Sequence, residues 1–333
     1  MEINRKELKT ALEIVKPGLA GNDTIEQTTS FCFINGHVVT YNDEISVRYP
    51  IDVDIEGAVN ASELYGFINK VSCDEITIEI EDSELRLKAG KSKAGLTLES
   101  KIVLPIKDIG DIDEWNKLPK DFLKSVDFAR AACSKDSTRA ILTCINVKDN
   151  IVQGADNHRI ARTELDDTVN VNEFLIPSHV AGTVVQLKPI RIAESDGWIH
   201  FKTKNHAIIS CRVFDDEYVN TEKLLKITGD SITFPDAMSE ILEKASVFGN
   251  NSSLLQSAIT IDLQSKKLIV SSKSESGWFE EKARVEYSGE PIKFSIALYV
   301  LNDILERTNK ATISGNKLLF EADNWKYLTM LMV

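Results

Sequence analysis

At 333 residues the chain is long enough for two or three domains, each able to bury its own core. A formal net charge of −12 argues against tight electrostatic binding to nucleic acid by the chain as a whole, while leaving room for a basic lining on one surface. The cysteines Cys32, Cys73, Cys133, Cys144 and Cys211 are odd in number, scattered and without a CxxC pair, so they read as reduced core residues and not as a disulfide framework or zinc site.

In chain order, the charged start MEINRKELK is unlike a signal peptide, and no apolar run is long enough to span a bilayer. The expected location is the cytoplasm, with no membrane partner. Leu8, Ala11, Leu12 and Val15 then write a first amphipathic helix, with apolar residues at the i, i+3, i+4, i+7 spacing that lines one helix face. The alternating segment SFCFINGHVVTYND follows, then a second helix at Leu64, Phe67, Ile68 and Val71. The hairpin DEITIEIEDSELRLKAG comes next, its Ile76, Ile78, Ile80 and Leu85, Leu87 alternating as half-buried strands do. Gly90, Lys91 and Ser92 lie between strands, without the earlier glycine and following helix of a phosphate loop, and read as a hairpin turn.

A charged stretch at 110–121 is a candidate linker. A third helix at Phe122, Val126, Ala129 and Cys133 precedes LTCINVKDNIVQGAD, and a fourth at Val180, Val184 and Leu187 precedes the hairpin LKPIRIAESDGWIHFKTK. A second candidate linker covers 215–230. The fifth helix is Met238, Ile241, Leu242 and Ala245, followed by ITIDLQSKKLIVSSK; the sixth is Ala297, Val300, Leu301 and Ile304, followed by NKATISGNKLLFEADN. Helices thus recur at roughly sixty-residue intervals, and two kinds of hairpin alternate between them, so a pair of helix-plus-strands modules is present three times. The expected fold is α+β: three similar domains at 1–117, 118–229 and 230–333, each with two helices packed on antiparallel sheets.

Signals for catalysis are lacking. His37, His158, His179, His200 and His206 show no HExxH or HxH spacing, and neither GxSxG nor GxGxxG occurs. No catalytic residue, metal, cofactor or small-molecule substrate is expected. An α+β enzyme with a site assembled between domains is the minor reading, and would need a cluster of strongly perturbed ionisable groups in a deep cleft.

One segment stands out: GADNHRIA at 154–161, with Asp156, His158 and Arg159 at a strand end followed by the apolar Ile160. It resembles the ATDGHRLA signature of the bacterial DNA polymerase III β subunit, the sliding clamp. Collinear pieces extend the resemblance over essentially the whole chain: AGKSKAGLT, IPSHVAGTVVQL, RVEYSG and the terminal YLTMLMV. The sequence is similar to that family in its bacterial or its phage and prophage forms.

The resemblance implies half of a closed ring: a head-to-tail homodimer of three-domain subunits, with helices lining a hole that holds duplex DNA topologically. Enclosure of that kind reconciles a charge of −12 with a DNA-associated role. It implies a subunit contact between Ala94 and Leu96 and the helix end at Val247 and Phe248, with Ala94 standing where the family usually has phenylalanine. It also implies an apolar cleft for peptides of DNA polymerase and the clamp loader. That cleft would be lined by Ile145, Ala155, His158, Ile160, Val219, Lys223, Leu224, Leu328, Met330, Leu331 and Met332. Ala155, Asn157 and Val219 depart from the family's threonine, glycine and proline there. Lys6, Lys70, Lys124, Arg130, Lys188 and Lys244, with Arg5 and Lys9, are the candidate DNA-facing bases. The expected function is that of a non-catalytic processivity factor. The alternative is a clamp-like protein that sequesters clamp-binding partners without being loaded on DNA.

Overall fold

Every apolar stripe in the sequence becomes a helix. The computed structural model describes residues 1–22, 25–109, 112, 114–248 and 258–332. Helix α1 (Arg5–Val15) is capped by Asn4, whose side-chain oxygen accepts from the backbone N–H of Lys6 at 2.9 Å and Glu7 at 3.4 Å, and it buries Leu8, Ala11, Leu12 and Val15. Asn60 caps α2 (Ala61–Lys70) in the same way, accepting from Glu63 at 3.1 Å. The remaining α-helices among the described residues are α3 (Phe122–Ala132), α4 (Ala140–Thr143), α5 (Ser178–Leu187), α6 (Met238–Ser246) and α7 (Leu298–Leu305). Only α4 was not expected, because one turn is too short to write a periodic stripe.

The chain divides into two compact units. The first comprises Met1–Asp127, Asn146–Asn150 and Asp166–Asp216, and the second Phe128–Ile145, Ile151–Leu165 and Glu217–Val333. The first unit holds an antiparallel sheet of eight strands, in the order 57–60, 30–34, 37–41, 45–50, 208–212, 198–202, 191–195 and 116–117. Its seam is the pairing of Ile45–Pro50 with Ile208–Arg212, where Val47 lies opposite Ile209 and Ser46 opposite Ser210. A second sheet runs 2–4, 75–81, 84–89 and 92–97, ending in the edge strand Ser92–Thr97. Inside this unit His200 is fully buried, its ring nitrogens 2.8 Å from Ser195 Oγ and 2.9 Å from Ser210 Oγ. Burial, with Arg48 nearby, pushes its pKa down to about 4, so the ring is neutral at physiological pH.

In the second unit the strands 151–155, 159–164, 325–330, 317–322, 310–314, 230–233 and 286–287 follow one another across a sheet. Here the seam pairs Arg159–Glu164 with Trp325–Met330, Ile160 opposite Leu328 and Ala161 opposite Tyr327. A further sheet runs 278–284, 267–273, 258–264 and 292–297, its outer edge being Trp278–Arg284. Helices α6 and α7 pack Ile241, Leu242, Ala245, Val300 and Leu301 against Ile261, Val270 and Phe294 of that sheet. In both units, therefore, the seam joins strands far apart in sequence, 45–50 with 208–212 and 159–164 with 325–330.

The cysteines are all free thiols, four of them buried and Cys73 half-buried. Of the first candidate linker, residues 110, 111 and 113 lie outside the described residues, and Asn116–Lys117 is not a linker at all but the last strand of the eight-stranded sheet, pairing with Arg191 and Ile192.

Candidate partner-binding cleft

The motif at 154–161 is a turn held by one carboxylate. Asp156 Oδ1 accepts from the backbone N–H of His158 at 2.8 Å and of Arg159 at 2.9 Å, while Oδ2 accepts from Arg159 Nε at 2.8 Å. Both side chains are largely covered, at 18% and 11% exposure. Burial works against the Arg159 charge, but Tyr327, Asp156 and Tyr299 together hold its pKa above the ordinary guanidinium value. The aspartate and arginine of the motif thus shape the turn, and His158 is left exposed at its tip. The His158 carbonyl accepts from the Met330 N–H at 2.7 Å, tying the turn to the C-terminal strand, and Arg139 Nη1 donates to Asn157 Oδ1 at 2.7 Å.

Gly154 sets the depth of this strand. A Cβ added there would lie 2.1 Å from the Ala129 carbonyl oxygen of α3 and 2.9 Å from Cys133 Sγ. Gly154→Ala is expected to cost about 2–3 kcal/mol, the scale of an overpacked core in which backbone must move. Urea denaturation reads it, and an unchanged midpoint would mean that helix and strand separate freely.

The floor beside the turn is an apolar cluster of Leu142, Ala155, Ile160, Leu225, Leu319 and Leu328, with Ile227 at its margin. Its rim is a short turn in which the N–H groups of Leu224 and Leu225 donate to the Thr221 carbonyl at 3.1 and 3.2 Å. Thr221 Oγ1 is itself anchored to Gln153 Oε1 at 2.6 Å. The turn sends Leu225 inward at 3% exposure and leaves Leu224 and Val219 outside at 46% and 42%, with Lys223 exposed between them in sequence. Large aliphatic side chains left open beside a closed apolar cluster are what a hydrophobic ligand would cover.

The expected lining residues divide accordingly. Ala155, Ile160 and Leu328 belong to the buried cluster; Val219, Lys223 and Leu224 are exposed on or just before the 221–225 turn; His158 and Met330 meet through their backbones. Ile145 is fully buried on the adjacent strand Cys144–Lys148. Leu331 points to the other side of the sheet, into the core with Leu301 and Tyr327. Met332 is 43% exposed and forms a two-way backbone bridge with Ser295 of the neighbouring sheet. Sequence reasoning missed Leu142, Leu225 and Leu319. The tandem leucines at 224–225 and 318–319 were the available signal.

Two other surfaces were expected. On the edge strand Ser92–Thr97, Ala94 is half-buried opposite Leu87 and Leu96 is buried; at the end of α6, Val247 is 76% exposed and Phe248 stacks on Phe279 at 6.3 Å and 15°. Among the candidate DNA-facing bases, Lys6, Lys70, Lys124, Arg130 and Lys188 are exposed on or beside their helices. Lys244 Nζ is held by both oxygens of Glu281, at 3.1 and 2.9 Å, and Lys9 lies 3.7 Å from Glu13. Among the described residues no group of three or more histidine, cysteine or acidic side chains could hold a metal ion, and no helix is long and apolar enough to cross a membrane.

Repeated helix-on-sheet modules, joined by seams and ending in open sheet edges, define the fold of a DNA clamp. More particularly, the fold is that of the bacterial DNA polymerase III β subunit. The whole chain (100%) matches 98% of a β sliding clamp from C. crescentus, with 16% identity and a TM-score of 0.86. It likewise matches 99% of a Pseudomonas aeruginosa sliding clamp solved with griselimycin, with 19% identity and a TM-score of 0.82. The β subunit from Thermotoga maritima is similar over 98% of its length, at 14% identity and a TM-score of 0.80. No protein-family model and no curated protein matches the sequence, so the likeness is one of fold.

Proposed function

We propose that this chain is a DNA sliding clamp: a non-catalytic processivity factor, working in the cytoplasm, that encircles duplex DNA as a head-to-tail homodimer. It tethers DNA polymerase and clamp-loader peptides through the apolar cleft. The observation that carries the reading is a buried cluster of leucine, isoleucine and alanine that includes Ile160 of the strand after the Asp156–Arg159 turn, with Val219 and Leu224 exposed next to its Leu225 in sequence; together these would form the cleft. Such a surface suits short hydrophobic peptides presented by several partners.

Three repeats, at 1–117, 118–229 and 230–333, account for the equivalent seams, each joining one repeat to the next. Ser92–Thr97 and Trp278–Arg284 are two of the sheet edges among the described residues, and pairing them between two copies would cover both. Enclosure then holds the duplex without a strongly basic surface, and Lys6, Lys70, Lys124, Arg130 and Lys188 need only steady it through phosphate contacts.

A second reading is favoured by the neutralised bases. With Lys244 bound by Glu281 and Lys9 near Glu13, the chain would sequester clamp-binding partners without being loaded. Loading on nicked circular DNA with clamp loader and ATP separates the two. The clamp reading expects protein that stays on the circle through gel filtration and is lost when the DNA is linearised. Equal recovery on both forms, or none on either, would reject topological enclosure.

A further inference from the structure

Between the strands that end at Arg212 and begin at Asp230 the chain forms no helix or strand. From Phe214 to Asn220 every residue is exposed except Tyr218, which is only 9% exposed and is the point at which this stretch is buried. Beyond it the path is fixed again by Thr221, bonded to Gln153, and by the buried Leu225.

The Tyr218 hydroxyl is buried without a hydrogen-bond partner. The Ala155 N–H comes near it without completing a bond, and Cys133, Cys144 and Asp156 are in its surroundings. The two thiols are already committed, Cys133 Sγ donating to the Cys144 carbonyl at 3.3 Å and Cys144 Sγ to the Ala140 carbonyl at 3.6 Å. Burial above all pushes the phenol pKa upward, so the group stays an uncharged donor with nothing to donate to. A hydroxyl in that state opposes folding, and phenylalanine would fill the same space without the penalty. A side chain that is unfavourable where it lies, on a segment held at few points, is one that a ligand can displace.

We propose that Tyr218 is a displaceable plug of the peptide cleft: when a hydrophobic peptide binds, residues 217–220 move outward, the phenol ring leaves, and an apolar side chain of the peptide takes the vacated space beside Ala155. The inference rests on the cleft reading and adds how the cleft opens. Ala155 belongs to the buried cluster with Leu142, Ile160 and Leu225, so the space that the ring leaves adjoins that cluster. Once outside, the hydroxyl is bonded by water. Its discomfort inside raises the closed state, so less of the peptide's affinity is consumed in opening the cleft.

Two substitutions separate a plug from a residue of merely structural importance. Tyr218→Phe removes the orphaned hydroxyl and is expected to raise the folding equilibrium constant, read by urea denaturation, about fivefold or more. The same change raises the dissociation constant of a polymerase-derived clamp-binding peptide by a similar factor, because the closed state is now favoured. Tyr218→Ala is expected to lower stability, as a core cavity does, and yet to bind the peptide more tightly than wild type, because no ring has to be displaced. Fluorescence anisotropy of the labelled peptide on the full chain reads the affinities, and circular dichroism melts confirm that each variant folds. A Tyr218→Phe chain less stable than wild type would show that the hydroxyl is satisfied. Peptide affinity unmoved by either change, or lowered by Tyr218→Ala, would show that the ring stays in place. Each of these results overturns the plug and leaves the cleft; a wild-type chain that does not bind the peptide would overturn both together.

Discussion

Asp156→Ala is expected to destabilise the chain by about 3 kcal/mol, the scale on which one member of a covered ion pair is removed and the other left behind. The carboxylate satisfies three donors at once, two backbone N–H groups and the Arg159 guanidinium. Alanine leaves Arg159 at 11% exposure without its counter-charge, close to Tyr299 and Tyr327. The damage extends to the cleft, because Arg159 opens the strand that carries Ile160 into the floor and pairs residue by residue with Trp325–Met330. Peptide affinity should fall with stability, by about tenfold or more, since a binding-competent state that is only partly populated reduces apparent affinity in proportion. Asp156→Asn keeps an acceptor for the backbone and loses only the charge, so it should fall between wild type and alanine. Urea denaturation and fluorescence anisotropy with a polymerase-derived clamp-binding peptide read the two effects, and an unshifted midpoint for Asp156→Ala would show that the turn does not depend on the carboxylate.

Leu224→Asp separates binding from folding. Leu224 is 46% exposed and sits on the rim, so a carboxylate there costs little in the free protein but must be desolvated when a hydrophobic peptide covers it. Peptide affinity should drop about thirtyfold or more, the loss typical of a central interface anchor, with the melting temperature unchanged. Undiminished binding would reject the cleft. Removing the chain from Met330 onward is a poorer test. It deletes Leu331, which is buried in the core, and the bridge between Met332 and Ser295, so lost binding would also report lost structure.

The helices were legible because a stripe at the 3.6-residue period needs only local sequence, as Leu8, Ala11, Leu12 and Val15 in α1 illustrate. Faces of the central strands were not. Leu318 packs with the Leu301 core and Leu319 with the cleft floor, so a strand covered on both sides reads as a continuous apolar run with no alternation to assign. Leu331 and Leu225 were obscured for the same reason, each standing beside another apolar residue that faces the other way. The motif at 154–161 was visible as a polar strand end, but its physical basis, one carboxylate closing a turn on three donors, depends on angles that composition does not carry. Least legible were the seams. Ile45–Pro50 meets Ile208–Arg212 across a long stretch of sequence, and nothing local distinguishes such a strand from one at an open edge.

Those seams make the mechanical joint a ladder of backbone hydrogen bonds between strands far apart in sequence instead of a covalent connection. Backbone pairing is indifferent to most side chains, so the connecting segments are free to change in length and composition while the joint keeps its geometry. A fold assembled this way can be shared at low sequence similarity, as the likeness to clamp structures at 14–19% identity and TM-scores of 0.80–0.86 illustrates.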